Sequence, residues 1–340
     1  MLLRDTRGGV PPAPDGSLPP SYAPRSASIP SALIHLRILS VTTGVYTSLL
    51  WFFSRLPGTS LDSPVSNKLS AKPGRNLSTR NRKGLMLAAN GLYKFYGSVP
   101  AVQNVTFTLE PGQVLGYLGP NGSGKSTTVK MLTGLLEPTD GEVTHNGQNI
   151  HKDLAAYRKR LGYVPEEANL YPYLTGQEYL DMVGTLRAMP EPRKSARINS
   201  LLELFSLWPH RHVTLGSYSK GMRQRILLIA ALMDNPDLLI LDEPLSGLDV
   251  TFVLIIKNLI QALSARGKSV FYCSHILEVV EKVCTHLIVL RKGQVITNGA
   301  TSEVRNHIGT SSLEGVFLQL VEEKDVTKTA NEIVDVVVSA

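Results

Sequence analysis

Cysteine is scarce in this 340-residue chain: there are two, Cys273 and Cys284, in unlike segments and without CxxC spacing. That excludes a disulfide-stapled secreted fold and a cysteine-based zinc module. Both thiols read as reduced and buried in a cytosolic core. A membrane-spanning run is missing as well. Crossing a bilayer takes about 20 apolar residues, whereas the charge-free run at residues 38–53 has 16, and residues 85–340 contain no spanning segment. Long heptad arrays and internal repeats are also absent, which excludes coiled-coil arms and solenoids.

One apparent surplus disappears on division. The formal charge of +7, from 35 basic and 28 acidic side chains, suggests a nucleic-acid binder. Residues 1–84 hold 11 basic and 3 acidic side chains, net +8, so residues 85–340 hold 24 and 25, net −1. The larger part therefore has no single-sign surface for gripping a phosphate backbone, and no nucleic-acid partner is expected.

Residues 1–84 are rich in Pro, Ser and Arg, with seven prolines between positions 10 and 30. Such a segment buries too little apolar surface to order itself and reads as a disordered or non-native extension. The apolar run 38–53, flanked by Arg37 and Arg55, leaves a signal-peptide region or an interfacial anchor open.

From Leu85 the pattern changes to short apolar runs alternating with amphipathic stretches, the mark of an α/β domain. Strands are predicted at 86–90, 102–109, 114–118, 142–145, 238–241, 269–273 and 287–290, and helices at 124–136, 250–265 and 276–283. Between Pro165 and Gly221 strand signals nearly vanish, and helical spacing at 177–189 and 193–207 reads as a helical insertion into the sheet. The run 334–338 reads as a marginal terminal strand or frayed tail.

Gly119, Pro120, Asn121, Gly122, Ser123, Gly124, Lys125, Ser126 and Thr127 follow the predicted strand 114–118 and open a helix, the context a phosphate-binding P-loop requires. Its glycines let backbone N–H groups turn toward a phosphate at the helix N-terminus. Lys125 would reach the β- and γ-phosphates of ATP, and the Ser126 hydroxyl would ligate Mg²⁺. Downstream, four apolar residues run into Asp242 and Glu243, which a buried parallel strand would deliver at its C-terminal end. Asp242 would hold Mg²⁺ through its water shell, and Glu243 would activate the attacking water as general base. Adjacent carboxylates after such a run are unfavourable unless a cation is near. His210 and His212 could be half a metal site, but no Cys, Asp or Glu cluster lies beside them, so they read as a solvated loop.

With these motifs in hand, a family resemblance follows. Residues 218–224, Tyr-Ser-Lys-Gly-Met-Arg-Gln, resemble the signature motif of ABC ATPases; residues 246–249 resemble their D-loop, Ser274-His275 their switch histidine and Tyr96 their adenine-stacking aromatic. The resemblance implies a P-loop NTPase core with an antiparallel β subdomain and a helical subdomain at about 166–222, within an ATPase domain at 85–320 and before a tail at 321–340. It implies that two nucleotide-binding domains, from a homodimer or a paralogue, sandwich ATP head to tail. Ser219 and Gly221 would meet the γ-phosphate in trans, Asp249 the partner's P-loop and His275 the γ-phosphate in cis. Glu166 stands where the family usually has a Mg²⁺-facing glutamine, and Lys220 where it has glycine. Both variants, with residues 313–320, resemble single-domain ATPase subunits of bacterial exporters. That branch implies a separate transmembrane permease, a peripheral position on the cytoplasmic face of the membrane, and an export role. A soluble ABC ATPase acting on nucleic acid or ribosomes is the alternative, opposed by the single domain and the missing coiled-coil and zinc modules. An inactive P-loop binder is opposed by the presence of Lys125, Ser126, Asp242, Glu243 and His275.

Overall fold

The apolar runs become two sheets in a computed structural model that describes residues 86–275, 277–307 and 326–338. The extension 1–84 and the segment 313–320 lie outside the described residues. The smaller sheet is antiparallel, in the order β2-β1-β4-β5, and consists of β1 Leu87–Tyr96, β2 Val99–Leu109, β4 Asp140–His145 and β5 Gln148–Asn149. β1 runs past the expected end at Asn90 because Gly91, at φ 56°, takes up a shift in register between Ala89 and Leu92. Its amide donates to Thr106 Oγ1 at 2.8 Å, so the Gly91 N–H stays paired at the irregularity.

The larger sheet has the order β10-β9-β3-β8-β7-β6, with β3 Val114–Leu118, β6 Leu161–Val164, β7 Leu238–Asp242, β8 Ser269–Cys273, β9 His286–Arg291 and β10 Gln294–Ala300. β9, β3, β8, β7 and β6 are parallel, and β10 pairs antiparallel with β9 at the edge. Parallel strands covered on both faces need apolar side chains on both. β3, β7 and β8 are accordingly buried at all of their positions. Leu115 and Tyr117 of β3 enter a core with Leu92, Phe107 and Phe271, while Val114 and Leu118 enter a second core on the other face. Each such side chain contributes about 1.5–3 kcal/mol by leaving water.

Helices carry the connections and cover both faces: α1 Lys125–Leu132 and α2 Leu154–Arg160 pack into the first core, and α3 Gly176–Leu186, α4 Glu191–Leu204, α5 Lys220–Leu232, α6 Val250–Ala265, α7 Leu277–Val283 and α8 Thr301–His307 into the second. Between β6 and β7 the described chain has α3, α4, two short 3₁₀ turns and α5, and no strand element. α3 begins at a capping box: Thr175 Oγ1 accepts from the Glu178 amide, and the Glu178 carboxylate accepts from the Thr175 amide. Among the described residues no helix is long and apolar enough to cross a membrane.

The terminal run corrects the sequence reading. Residues 334–338 end a helix, α9 Val326–Val338, and are neither strand nor frayed. Apolar residues at 326, 330, 333, 334 and 337 recur at three- and four-residue spacing, a helical period that outweighs the β preference of valine.

Candidate active site

Five parallel strands put their C-terminal ends along one edge, and the chemistry-bearing residues sit in the turns that leave it. After β3 the chain closes the loop Gly119–Gly124 into α1. Gly119 has no room for a side chain: a Cβ there would lie 2.5 Å from Ser123 Oγ and 2.6 Å from Leu290 O. Gly124, at φ 103°, would set a Cβ 2.5 Å from Ala101 O, so the turn into α1 tolerates glycine alone. The Lys125 ammonium folds back across the loop and donates to Gly119 O at 2.7 Å and Pro120 O at 3.0 Å. Asn121 and Ser126 are exposed and Thr127 is half-buried. Ser123 is buried, and its hydroxyl has no hydrogen-bond partner among the described residues.

α1 packs against β7, which ends in Asp242. That carboxyl is 5% exposed. Burial holds its pKa up at about 6; the Glu166 and Glu243 charges add to the rise, while the Cys273 hydrogen bond and the Lys125 ammonium oppose it. Glu166 itself is exposed, two residues beyond the end of β6. Among the described residues no three such side chains stand close enough to hold a metal ion by themselves, but a buried carboxyl short of positive charge suits a divalent cation such as Mg²⁺ that completes its oxygen ligands from a bound nucleotide and water.

Glu243 follows with a left-handed backbone, φ 47°, and is 8% exposed. Its amide donates to Cys273 O at 2.9 Å. Both carboxylate oxygens are held from the turn after β8: Ser274 Oγ donates to Oε2 at 3.1 Å and the His275 amide to Oε1 at 2.9 Å. His275 Nδ1 stands 2.7 Å from the same Oε1, with its ring largely exposed. The imidazole thus faces the carboxylate and solvent together, the arrangement of a base and its orienting partner. Sequence reasoning named His275 but missed Ser274 as a ligand of Glu243; its position directly after the strand was the available signal.

A second cluster forms where α5 meets α6. Ser219 is the exposed N-cap of α5, its Oγ accepting from the Met222 amide at 3.2 Å. Asp249 caps α6 through Oδ1, which accepts from the Phe252 amide at 2.9 Å, and its Oδ2 pairs with Arg225. The half-buried Gly221 lies against the D-loop, where an added Cβ would come within 2.6 Å of Gly247 O. Tyr96 lies on the other sheet, 52% exposed at the end of β1.

A glycine-lined loop between strand and helix, a lysine across it and paired carboxylates two strands away define a P-loop nucleotide hydrolase. Residues 102–246 match the family model described as ABC transporter. The chain is 35% identical over 221 residues to the ABC transporter ATP-binding protein NatA of Bacillus subtilis (strain 168), covering 65% of this chain and 90% of that protein. It is 35% identical over 222 residues to the Nod factor export ATP-binding protein I of Burkholderia lata, covering 65% and 73%. Among solved structures, an ATP-binding subunit of an ABC transporter superposes with a TM-score of 0.66 at 30% identity, over 69% of this chain and 99% of that one. An ATP-binding cassette solved as a dimer in a post-hydrolysis state with ADP and Pi gives 0.60 at 26% identity, over 64% and 99%. The chain belongs to the ATP-binding proteins of ABC transporters, and it is an ATPase.

Proposed function

We propose that the chain hydrolyses Mg²⁺-ATP to drive export through a separate membrane-spanning chain, and that it does so as one half of a head-to-tail pair of nucleotide-binding domains. The observation that carries this reading is the fixed Glu243 carboxylate, gripped by Ser274 and His275 beside the buried Asp242. In this reading Lys125 and the loop amides bind the phosphates of ATP, and Ser126, Asp242 and Glu166 hold Mg²⁺. The metal, when bound, offsets charge developing on the transferred phosphoryl group. Glu243 takes a proton from the attacking water, and His275 orients that carboxylate from the solvent side. Tyr96 stacks on the base. Ser219 and Gly221 close over the partner's nucleotide, and Asp249 lies at the same junction.

Export rather than import is supported by the name of the Burkholderia lata relative and by the exporter-like signature and Glu166 variants. A membrane-spanning partner, and a peripheral place on the cytoplasmic face of the membrane, are supported by family membership together with the absence of a spanning helix among the described residues.

The test is Glu243→Gln, which keeps size and hydrogen bonding and removes the base. Turnover is expected to fall by about 10²- to 10⁴-fold while ATP binding persists. The ATP-bound dimer should then accumulate on size exclusion with Mg²⁺ and ATP. Wild-type turnover removes Glu243 from the mechanism, and an ATP-loaded monomer overturns the sandwich. Transport coupling is read separately: the chain should move to the membrane fraction only when its membrane subunit is co-expressed.

A further inference from the structure

The signature helix is fastened to the strand end that carries the base of its own chain. From Ser219 at its N-cap, α5 reaches Gln224 within a turn and a half. Gln224 is 2% exposed, and its Nε2 donates to Pro244 O at 3.2 Å. A buried amide is tolerated only with such a partner, and Pro244 is the residue directly after Glu243. Next along the helix, Arg225 pairs with Asp249 and lies 4.1 Å over the ring of Phe252, whose amide Asp249 also receives. At the first turn Gly221 abuts Gly247 O, and the Lys220 stem covers the Gly247 α-carbon: a Cβ built there would sit 2.9 Å from Lys220 Cγ. Met222 and Leu248 both pack against the same core. Helix start and D-loop are thereby tied at the residues both before and after the bend.

We infer that Gln224 and Arg225 are positioning residues that transmit the phosphate contact of Ser219 to the general base of the same chain. Resting on the sandwich reading above, the connection gives each contact a destination. When Ser219 of one chain engages the partner's nucleotide, α5 is fixed, the Pro244 carbonyl is fixed through Gln224, and Glu243 is aimed at the chain's own ATP. Hydrolysis at each site then depends on the chain having closed over the other site. The two ends of the segment 243–249 are held differently, by a neutral hydrogen bond at Pro244 and an ion pair at Asp249.

Two full-length variants test this. Gln224→Met keeps volume and removes the donor; Arg225→Met keeps the stem over Phe252 and removes the charge. For each, kcat is expected to fall about tenfold with KM unchanged, the signature of an interaction used after binding. Combined with Glu243→Gln, each should still form the ATP-bound dimer at the ATP concentration that Glu243→Gln alone requires, since Ser219 and the P-loop are untouched and Asp249 stays held at the start of α6 by the Phe252 amide. A general loss of structure would weaken dimer and turnover together. The inference is overturned if kcat stays within about twofold of wild type, or if the dimer is lost along with kcat. An ATP-loaded Glu243→Gln protein that remains monomeric would instead count against the sandwich itself. Should Gln224→Met not fold, Arg225→Met, at a less buried position, carries the same readouts.

Discussion

The strand-end cluster and the helix-cap cluster, both assigned to nucleotide phosphates in the proposed function, stand on opposite kinds of support. Asp242 and Glu243 sit at the buried end of β7, and Glu243 is held from the turn after β8 by a serine and a histidine. Ser219 and Asp249 are exposed N-caps whose side chains accept from amides of their own helices, Asp249 also pairing with Arg225. The first cluster is aligned by the fold of one chain. The second offers helix N-termini to the outside, and helix N-termini favour anions. Rigid chemistry is thus separated from a surface that is completed by something else.

The comparison can be broken first at the strand end, where the largest effect is expected. Lys125→Ala removes the ammonium that spans the loop, and ATP turnover should fall to background in a steady-state phosphate-release assay. Turnover at the wild-type rate would withdraw the site assignment. At the helix-cap cluster, Ser219→Arg introduced into the Glu243→Gln protein should leave ATP binding intact and abolish the ATP-dependent dimer; retention of the dimer would mean that Ser219 makes no trans contact. Returning to the strand end, His275→Ala removes the imidazole from Oε1 of Glu243 and leaves the backbone amide there, and a loss of about 10²-fold in kcat is expected from misalignment alone. A rate unchanged by this substitution would leave Ser274 and the His275 amide as sufficient supports.

The smallest effect concerns stability and has a defined sign with pH. Burial raises the pKa of Asp242 to about 6, so the folded state favours the neutral acid. Its contribution to stability is full below the unfolded value near 4 and is lost as pH rises through about 6. Asp242→Asn should therefore stabilise the nucleotide-free protein at pH 8 by on the order of 2 kcal/mol, and by nothing below pH about 4. Thermal unfolding at both pH values reads this directly. A mutant no more stable than wild type at pH 8 would show that the charge is compensated within the chain.

How much of this was legible depended on whether a residue's setting is local. The strands Val114–Leu118 and Ser269–Cys273 and the helix Val250–Ala265 were read with the bounds they have, because continuous or helical-period apolar residues stop abruptly at turn residues. β6 was missed: Leu161–Val164 is four residues long, follows α2 directly with no turn residue between them, and has Gly162 within it, which weakens the strand signal. Its strand character comes from pairing with β7, a partner far along the chain. The motifs picked out the loop Gly119–Gly124, Asp242, Glu243 and His275, which the structure brings to one sheet edge, but not the residues that hold them. Ser274, Gln224 and Arg225 matter through contacts with Glu243, Pro244 and Asp249, and those pairings form only when the chain folds.

The backbone of Glu243 has a further consequence for the protein's history. A glutamate at φ 47° occupies a conformation that L side chains disfavour by roughly 1 kcal/mol or more. Glycine would relieve that strain and, under the role proposed for Glu243, remove the base. At this one position, selection for thermal robustness and selection for turnover point in opposite directions, so a library screened for heat resistance alone should drift there toward silence.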